Sequence, residues 1–162
     1  MNNYIKFTTL IILAVVLQTS ILPHYIIAAY KPDLLLVIMV YLALRTPANH
    51  TVFSAYLLGL LKDVLGGIYL GLNGFSFVLF CLLLKAVSDR LYVQSSILYV
   101  LTVGAATAIT TIINLLLLII FSQGENLITA AATLLLPHLL MNMFIASIVT
   151  AMPRYFAPLD SK

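Results

Sequence analysis

The chain has 162 residues, of which 63% are hydrophobic and 8% are charged, and its mean hydropathy is +1.14. Soluble domains are about 45–50% apolar and about 25% charged, so this composition excludes a soluble enzyme, a nucleic-acid-binding domain and a disordered regulator. At about 20 residues per bilayer crossing, the length allows six or seven spans. We therefore expect one membrane domain over residues 1–162, with no room for an extramembrane catalytic domain.

The net charge of +3 indicates membrane topology rather than an anionic partner. The eight Lys and Arg residues are scattered singly along the chain, so no basic patch is present to hold a nucleic acid. The single cysteine, Cys81, lies inside an apolar run and excludes an intrachain disulfide.

Six apolar segments follow one another and predict an all-α bundle of transmembrane helices. The first is longer than a signal-peptide core of about 7–15 residues, so we interpret it as a retained helix. The second covers only about 16 Å as a helix, and two charges interrupt the third, so both are short for a full crossing. The segments are Tyr4–Ala29, Leu34–Leu44, Val52–Leu65, Phe75–Leu84, Ile97–Phe121 and Leu127–Met152.

The basic residues predict cytoplasmic N- and C-termini. With this orientation only Lys31 and Lys62 lie in outer parts of the chain, as the positive-inside rule requires. If the second and third segments form a re-entrant hairpin, the number of crossings falls by two and the orientation is unchanged. The basic residues then on the inner side are Lys6, Arg45, Lys85, Arg90, Arg154 and Lys162.

Four polar side chains are predicted to lie at roughly one depth: Gln18, Ser76, Asn114 and His138. The candidate residues of a polar pocket are Gln18, Asn114, His138 and Asn142. In the last two segments, polar and small residues recur every three or four positions, which places them on one face of each helix. Because an unpaired polar group is costly in hydrocarbon, these faces should meet other helices or a hydrated cavity. Two alternatives follow: a hydrogen-bonded seam between helices, or an outward-opening pocket for a small molecule or a lipid group.

The acids Asp33 and Asp63 each lie beside a lysine and are candidates for function at membrane depth. Pro32 followed by Asp33 is also typical of a helix start. Lys62 directly precedes Asp63, and a salt bridge between them would neutralise that acid. The chain has no nucleotide-binding motif, no metal-ligand spacing and no recognisable nucleophile, so we predict no catalytic, cofactor-binding or metal-binding residue.

Three short motifs stand in order along the chain. A Pro-Asp-Leu sequence opens the second segment, Gly-Leu-Leu-Lys-Asp lies near the end of the third, and Gly-Leu-Asn-Gly opens the fourth. With the six-segment layout, these motifs resemble the rod shape-determining protein MreD family. The residues that match the family pattern, as structural-motif or partner-interface positions, are Pro32, Asp33, Gly59, Asp63, Gly71 and Gly74.

The resemblance implies a multi-pass protein of the bacterial plasma (inner) membrane that serves lateral peptidoglycan synthesis as a non-enzymatic scaffold. Its expected partner is an MreC-like single-span periplasmic scaffold, which links it to MreB, RodA and a class B penicillin-binding protein. Membrane lipid is the other expected contact, and nucleic acid is not expected. The family is also similar in fold to the S-components of energy-coupling-factor vitamin transporters, which implies the alternative of a small-molecule-binding subunit.

Overall fold

The computed structural model describes residues 3–25, 27, 30–46, 48–66, 69–88, 96–121 and 127–151, and their regular structure is helical throughout. The first segment consists of α1 (Asn3–Val16), a π-helical stretch (Leu17–Ile21) and α2 (Leu22–Tyr25), which follow one another without a break. The remaining helices are α3 (Leu34–Arg45), α4 (Ala48–Gly66), α5 (Leu72–Ser88), α6 (Ser96–Phe121) and α7 (Leu127–Ala151). The predicted all-α fold with six segments is therefore confirmed. Arg90, Arg154 and Lys162, on which the predicted orientation partly depends, lie outside the described residues.

Helix α3 is the centre of the bundle. It packs against the first segment and against α4, α5, α6 and α7. Its side chains are apolar on every side, as expected of a helix surrounded by others. Leu35, Met39, Val40 and Ala43 have no exposed surface. The short second segment is therefore the core of the molecule rather than a peripheral hairpin.

Helix length divides the bundle into two groups. Within the described residues, three helices are long and apolar enough to cross a membrane: Thr8–Tyr25, Ser96–Ile120 and Thr133–Ala151. Helix α3 has 12 residues, which cover about 18 Å against a hydrocarbon core of about 30 Å. Helix α4 has 19 residues and begins before the apolar run that predicted it, so its helix is longer than its apolar part.

One end of the bundle collects the polar groups. The up-and-down order of the helices brings the starts of α3, α5 and α7 to the same end as the last turns of α4 and α6. Lys62 and Asp63 lie in the last turns of α4, and Asn73 lies in the first turn of α5. Under the predicted orientation this is the outer end of the protein.

Candidate functional site

Helices α4 and α5 cross at a pair of glycines. A Cβ atom added to Gly59 would lie 2.5 Å from Gly74 Cα and 2.6 Å from the Asn73 carbonyl oxygen. Both are backbone atoms, which cannot rotate out of the way as a side chain can. Only glycine fits at position 59 at this helix separation, because small residues allow the closest backbone approach in membrane bundles. Two of the predicted motif residues thus form one direct contact.

Asp63 caps the start of α5 from the neighbouring helix. Its carboxylate accepts hydrogen bonds from the backbone N–H of Gly71 (2.9 Å), Asn73 (3.1 Å) and Gly74 (3.2 Å). It also accepts from the Asn73 side-chain amide at 2.7 Å. These N–H groups have no partner within their own helix, and the positive end of the helix dipole favours the anion. The buried acid is therefore satisfied within the fold.

Gly71 explains how the chain reaches this cap. Its φ is +93°, in the left-handed region that residues with a Cβ rarely adopt. This conformation directs its N–H towards Asp63 and starts α5 immediately afterwards. The motif residues of the third and fourth segments therefore form one structural unit.

Asp33 caps α3 and forms an ion pair with Lys62. Its side chain accepts a hydrogen bond from the Leu36 N–H at 3.1 Å, which confirms the predicted helix start. Its other carboxylate oxygen lies 2.5 Å from Lys62 Nζ. The predicted pair of Lys62 with Asp63 is wrong, because consecutive residues of a helix point in different directions and do not face each other. The lysine pairs with the acid of α3 instead.

Two hydrogen-bonded networks link the helices below these caps. In the first, Asn114 Nδ2 donates to Asn73 Oδ1 at 3.0 Å, and Ser76 Oγ donates to Asn114 Oδ1. In the second, Asn142 accepts from the Asp33 backbone N–H at 2.7 Å and donates to Thr107 Oγ1 at 3.0 Å. These contacts are hydrogen bonds between helices, as the first of the two alternatives from the sequence predicted.

A cavity of about 380 Å³ lies between the networks and the first segment. The four residues of the predicted pocket all line it, together with Pro32 and Asp33. We refer to it as the polar cavity. Its polar lining residues are Gln18, Thr19, Lys31, Asp33, Lys62, Asn73, Thr107, Thr110, Thr111, Asn114, His138 and Asn142. Seam and cavity are thus both present, and that the cavity binds a ligand stays a prediction.

The first segment contributes a polar group with no partner. Gln18 Oε1 is buried and accepts no hydrogen bond from any described residue. Gln18 and Thr19, the two residues that the first segment places in the cavity wall, both belong to the π-helical stretch. Such stretches are rare in proteins and occur frequently at functional sites.

The two intramembrane histidines differ in position. His138 lies in the cavity wall, half-buried, beside the backbone of Lys31 and near the charges of Asp33 and Lys62. Pro137, directly before it, interrupts the hydrogen bonding of α7. His24 is exposed at the end of the first segment, packs edge-on against Tyr25 and is absent from the cavity wall.

The cavity wall holds no arrangement of side chains typical of catalysis. Among the described residues, no three His, Cys, Asp or Glu side chains are close enough to share a metal ion. Cys81 is free and buried away from the cavity. The polar groups are arranged to position a bound molecule or to join helices.

The comparisons with known proteins give one family. The model of the rod shape-determining protein MreD family matches residues 1–156, which is nearly the whole chain. The chain belongs to the MreD family. Neither the curated proteins nor the solved structures gave a significant match.

Membership of the MreD family assigns the chain to rod-shape determination in the membrane. This is a family of shape-determining structural membrane proteins. The family motifs now have physical roles: Asp63 and Gly71 build the start of α5, Gly59 and Gly74 form the helix crossing, and Asp33 caps α3.

Sequence reasoning missed several residues of the polar cavity. Lys31 was assigned to topology, and Lys62 to topology and to a salt bridge with Asp63, although both line the cavity. Thr110 was also missed, whereas Thr107 and Thr111 follow the spacing of three and four residues that predicts the polar face of their helix. The available signal was the run of threonines in α6, whose side chains lie in the wall beside Asn114.

Proposed function

We propose that this MreD family protein is a non-enzymatic scaffold of cell elongation that binds the transmembrane helix of an MreC-like partner. The observation that supports this is the loose attachment of the first segment. It packs chiefly on α3, whereas α4 to α7 pack on one another as well. Much of the surface of the first segment is therefore left uncovered, and a second helix can pack against it.

The outer face of α1 suits such a contact. Ile12, Leu13 and Val16 lie on one face and are 59%, 55% and 46% exposed, while Ala14 on the opposite face is buried in the core. Helix association in lipid depends on extended packing, since each interhelical hydrogen bond contributes only about 1 kcal/mol. An exposed apolar helix face is the appropriate surface for such packing.

The test is gentle detergent extraction of the tagged protein from its own membrane, followed by mass spectrometry of the recovered proteins. We expect a single-span periplasmic scaffold, accompanied by cell-wall synthases. The variant Leu13→Trp should reduce that recovery, because a larger side chain prevents close approach at the α1 face. Leu82→Trp on α5 is the matched control, since Leu82 is similarly exposed at 50%. If both variants reduce recovery of the partner equally, or if neither does, the α1 face is not the partner-binding surface.

A second candidate function is supported by the polar cavity: a small-molecule-binding subunit similar to an S-component. Gln18, Asn114, His138 and Asn142 line the cavity, and the buried Gln18 Oε1 has no partner among the described residues. This function predicts a ligand that purifies with the protein in stoichiometric amount. Recovery of paired ATPases and a coupling subunit, in place of the periplasmic scaffold, would favour it over the first.

A further inference from the structure

Most amide groups around the polar cavity are already used within the protein. Asn142 bonds on both sides, to the Asp33 backbone and to Thr107. Asn73 and Asn114 bond to each other, and each has a further partner in Asp63 or Ser76. These side chains fix the shape of the wall. The groups that remain available to a ligand are therefore fewer than the lining suggests.

One set of available groups consists of hydrogen-bond acceptors. The hydroxyls of Thr110 and Thr111 donate their protons to the carbonyls of Ala106 and Thr107, each at 2.7 Å. A hydroxyl has one proton, so only the oxygen lone pairs of these threonines are left for the cavity. Gln18 Oε1 adds a buried acceptor with no partner. This part of the wall requires a ligand with hydroxyl or amine donors.

The other available group is a cation. Lys31 lines the cavity and is only partly exposed, and its ammonium pairs with no acid of the described chain. Lys62 is paired with Asp33, so the lining has two ammonium groups and one carboxylate. The charge of Asp63 is directed to the N-terminus of α5. The described lining of the cavity therefore has one positive charge in excess, which favours an anion near Lys31.

We propose that the polar cavity binds a phosphate group that carries neighbouring hydroxyls, as in glycerol phosphate. The phosphate would lie at Lys31, and the hydroxyls would donate to Gln18 and the α6 threonines. The volume of about 380 Å³ lies within the range of about 300–1,000 Å³ that small-molecule sites occupy. This proposal rests on the second candidate function, and the same chemistry is available from a phospholipid headgroup or from a soluble phosphate ester.

The experiment uses the full-length protein in phosphatidylcholine nanodiscs. Native mass spectrometry compares retention of short-chain phosphatidylglycerol and short-chain phosphatidylcholine, and calorimetry measures binding of sn-glycerol 3-phosphate and inorganic phosphate. We expect phosphatidylglycerol or glycerol phosphate to bind at least about tenfold more tightly than phosphatidylcholine or inorganic phosphate, because only the first two carry both a phosphate anion and hydroxyl groups on neighbouring carbon atoms. If phosphatidylglycerol binds more tightly than free glycerol phosphate, the natural ligand is a phospholipid headgroup. If free glycerol phosphate binds as tightly as phosphatidylglycerol, the natural ligand is a soluble phosphate ester.

Two variants with a control test the assignment of residues. Lys31→Gln should weaken binding about tenfold by removing the cation. The control Lys85→Gln should leave it unchanged, because Lys85 lies at the other end of α5 and donates to Thr46. Gln18→Leu should weaken binding yet raise the melting temperature of the ligand-free protein, because it removes an unsatisfied buried acceptor.

The possible results distinguish a failure of the phosphate proposal from a failure of the small-molecule-binding function on which it rests. Equal retention of both lipids, with no effect of Lys31→Gln, overturns the phosphate assignment. A different stoichiometric ligand in the freshly extracted protein overturns the assignment and leaves the small-molecule function standing. An empty cavity under every condition overturns both.

Discussion

At the start of α5, the Asp63 carboxylate accepts the hydrogen bonds that a helix usually directs to a cap in its own sequence. The bonds cross from the end of one helix to the start of the next. Such a contact has no fixed sequence spacing, because the connecting residues can vary in number. The sequence identified Asp63 as unusual but could not assign its partners for this reason.

We expect Asp63→Leu to destabilise the protein by about 3 kcal/mol or more, because three N–H groups, two of them buried, lose their acceptor. Asp63→Asn should have an intermediate effect, since it keeps one acceptor oxygen and loses the charge. The measurement is the melting temperature in detergent, followed by size-exclusion chromatography. Asp89→Asn, between the fourth and fifth apolar segments of the sequence, is the control. A parent-like melting temperature for Asp63→Leu would refute the capping role.

Because Asp33 and Lys62 form an ion pair, we expect a second substitution to restore part of the melting temperature that the first one lowers. Lys62→Met should lower the melting temperature, because it leaves the carboxylate of Asp33, whose side chain is 11% exposed, without its cation. Adding Asp33→Asn should restore at least half of the loss, because asparagine still caps α3 and carries no charge. Additive losses in the double variant would show that the two side chains act independently.

At the scale of helices, the close contact between α4 and α5 depends on the absence of a side chain at Gly59. Gly59→Ala should destabilise the bundle by about 1–3 kcal/mol, because its Cβ meets the backbone of α5 and the helices must separate. Gly66→Ala, in the same helix, is the matched control, since an added Cβ there meets nothing within 4 Å. Comparable melting temperatures for the two variants would contradict the close crossing.

The helices themselves were largely predictable from hydropathy, and the polar faces of α6 and α7 from spacing. Asn114 and Asn142 could be placed on inward faces because burial in hydrocarbon penalises any other position. Their partners could not be predicted, since Asn142 bonds to a residue 109 positions away. The central place of α3 was also unexpected, because hydropathy records length and apolar character but not the number of neighbouring helices.

For the whole molecule, the predicted orientation has a direct test. Tyr30 and Val87 are each 51% exposed and lie at opposite ends of the bundle. In a Cys81→Ala background, Tyr30→Cys should react with a membrane-impermeant maleimide in intact cells. Val87→Cys should react only after the membrane is permeabilised. The opposite pattern would invert the topology and place the polar cavity on the cytoplasmic side.

The ion pair within the core also determines the order of membrane insertion. Asp33 and Lys62 are 29 residues apart, so the ribosome completes the short α3 well before its cation is synthesised. An acid at the start of a 12-residue helix is poorly accepted by the bilayer without that partner. We therefore expect α3 and α4 to enter the membrane together as a hairpin. A chain in which Arg45 is followed by a soluble linker long enough to clear the ribosome should leave α3 outside the lipid, and one in which the same linker follows Gly66 should insert it.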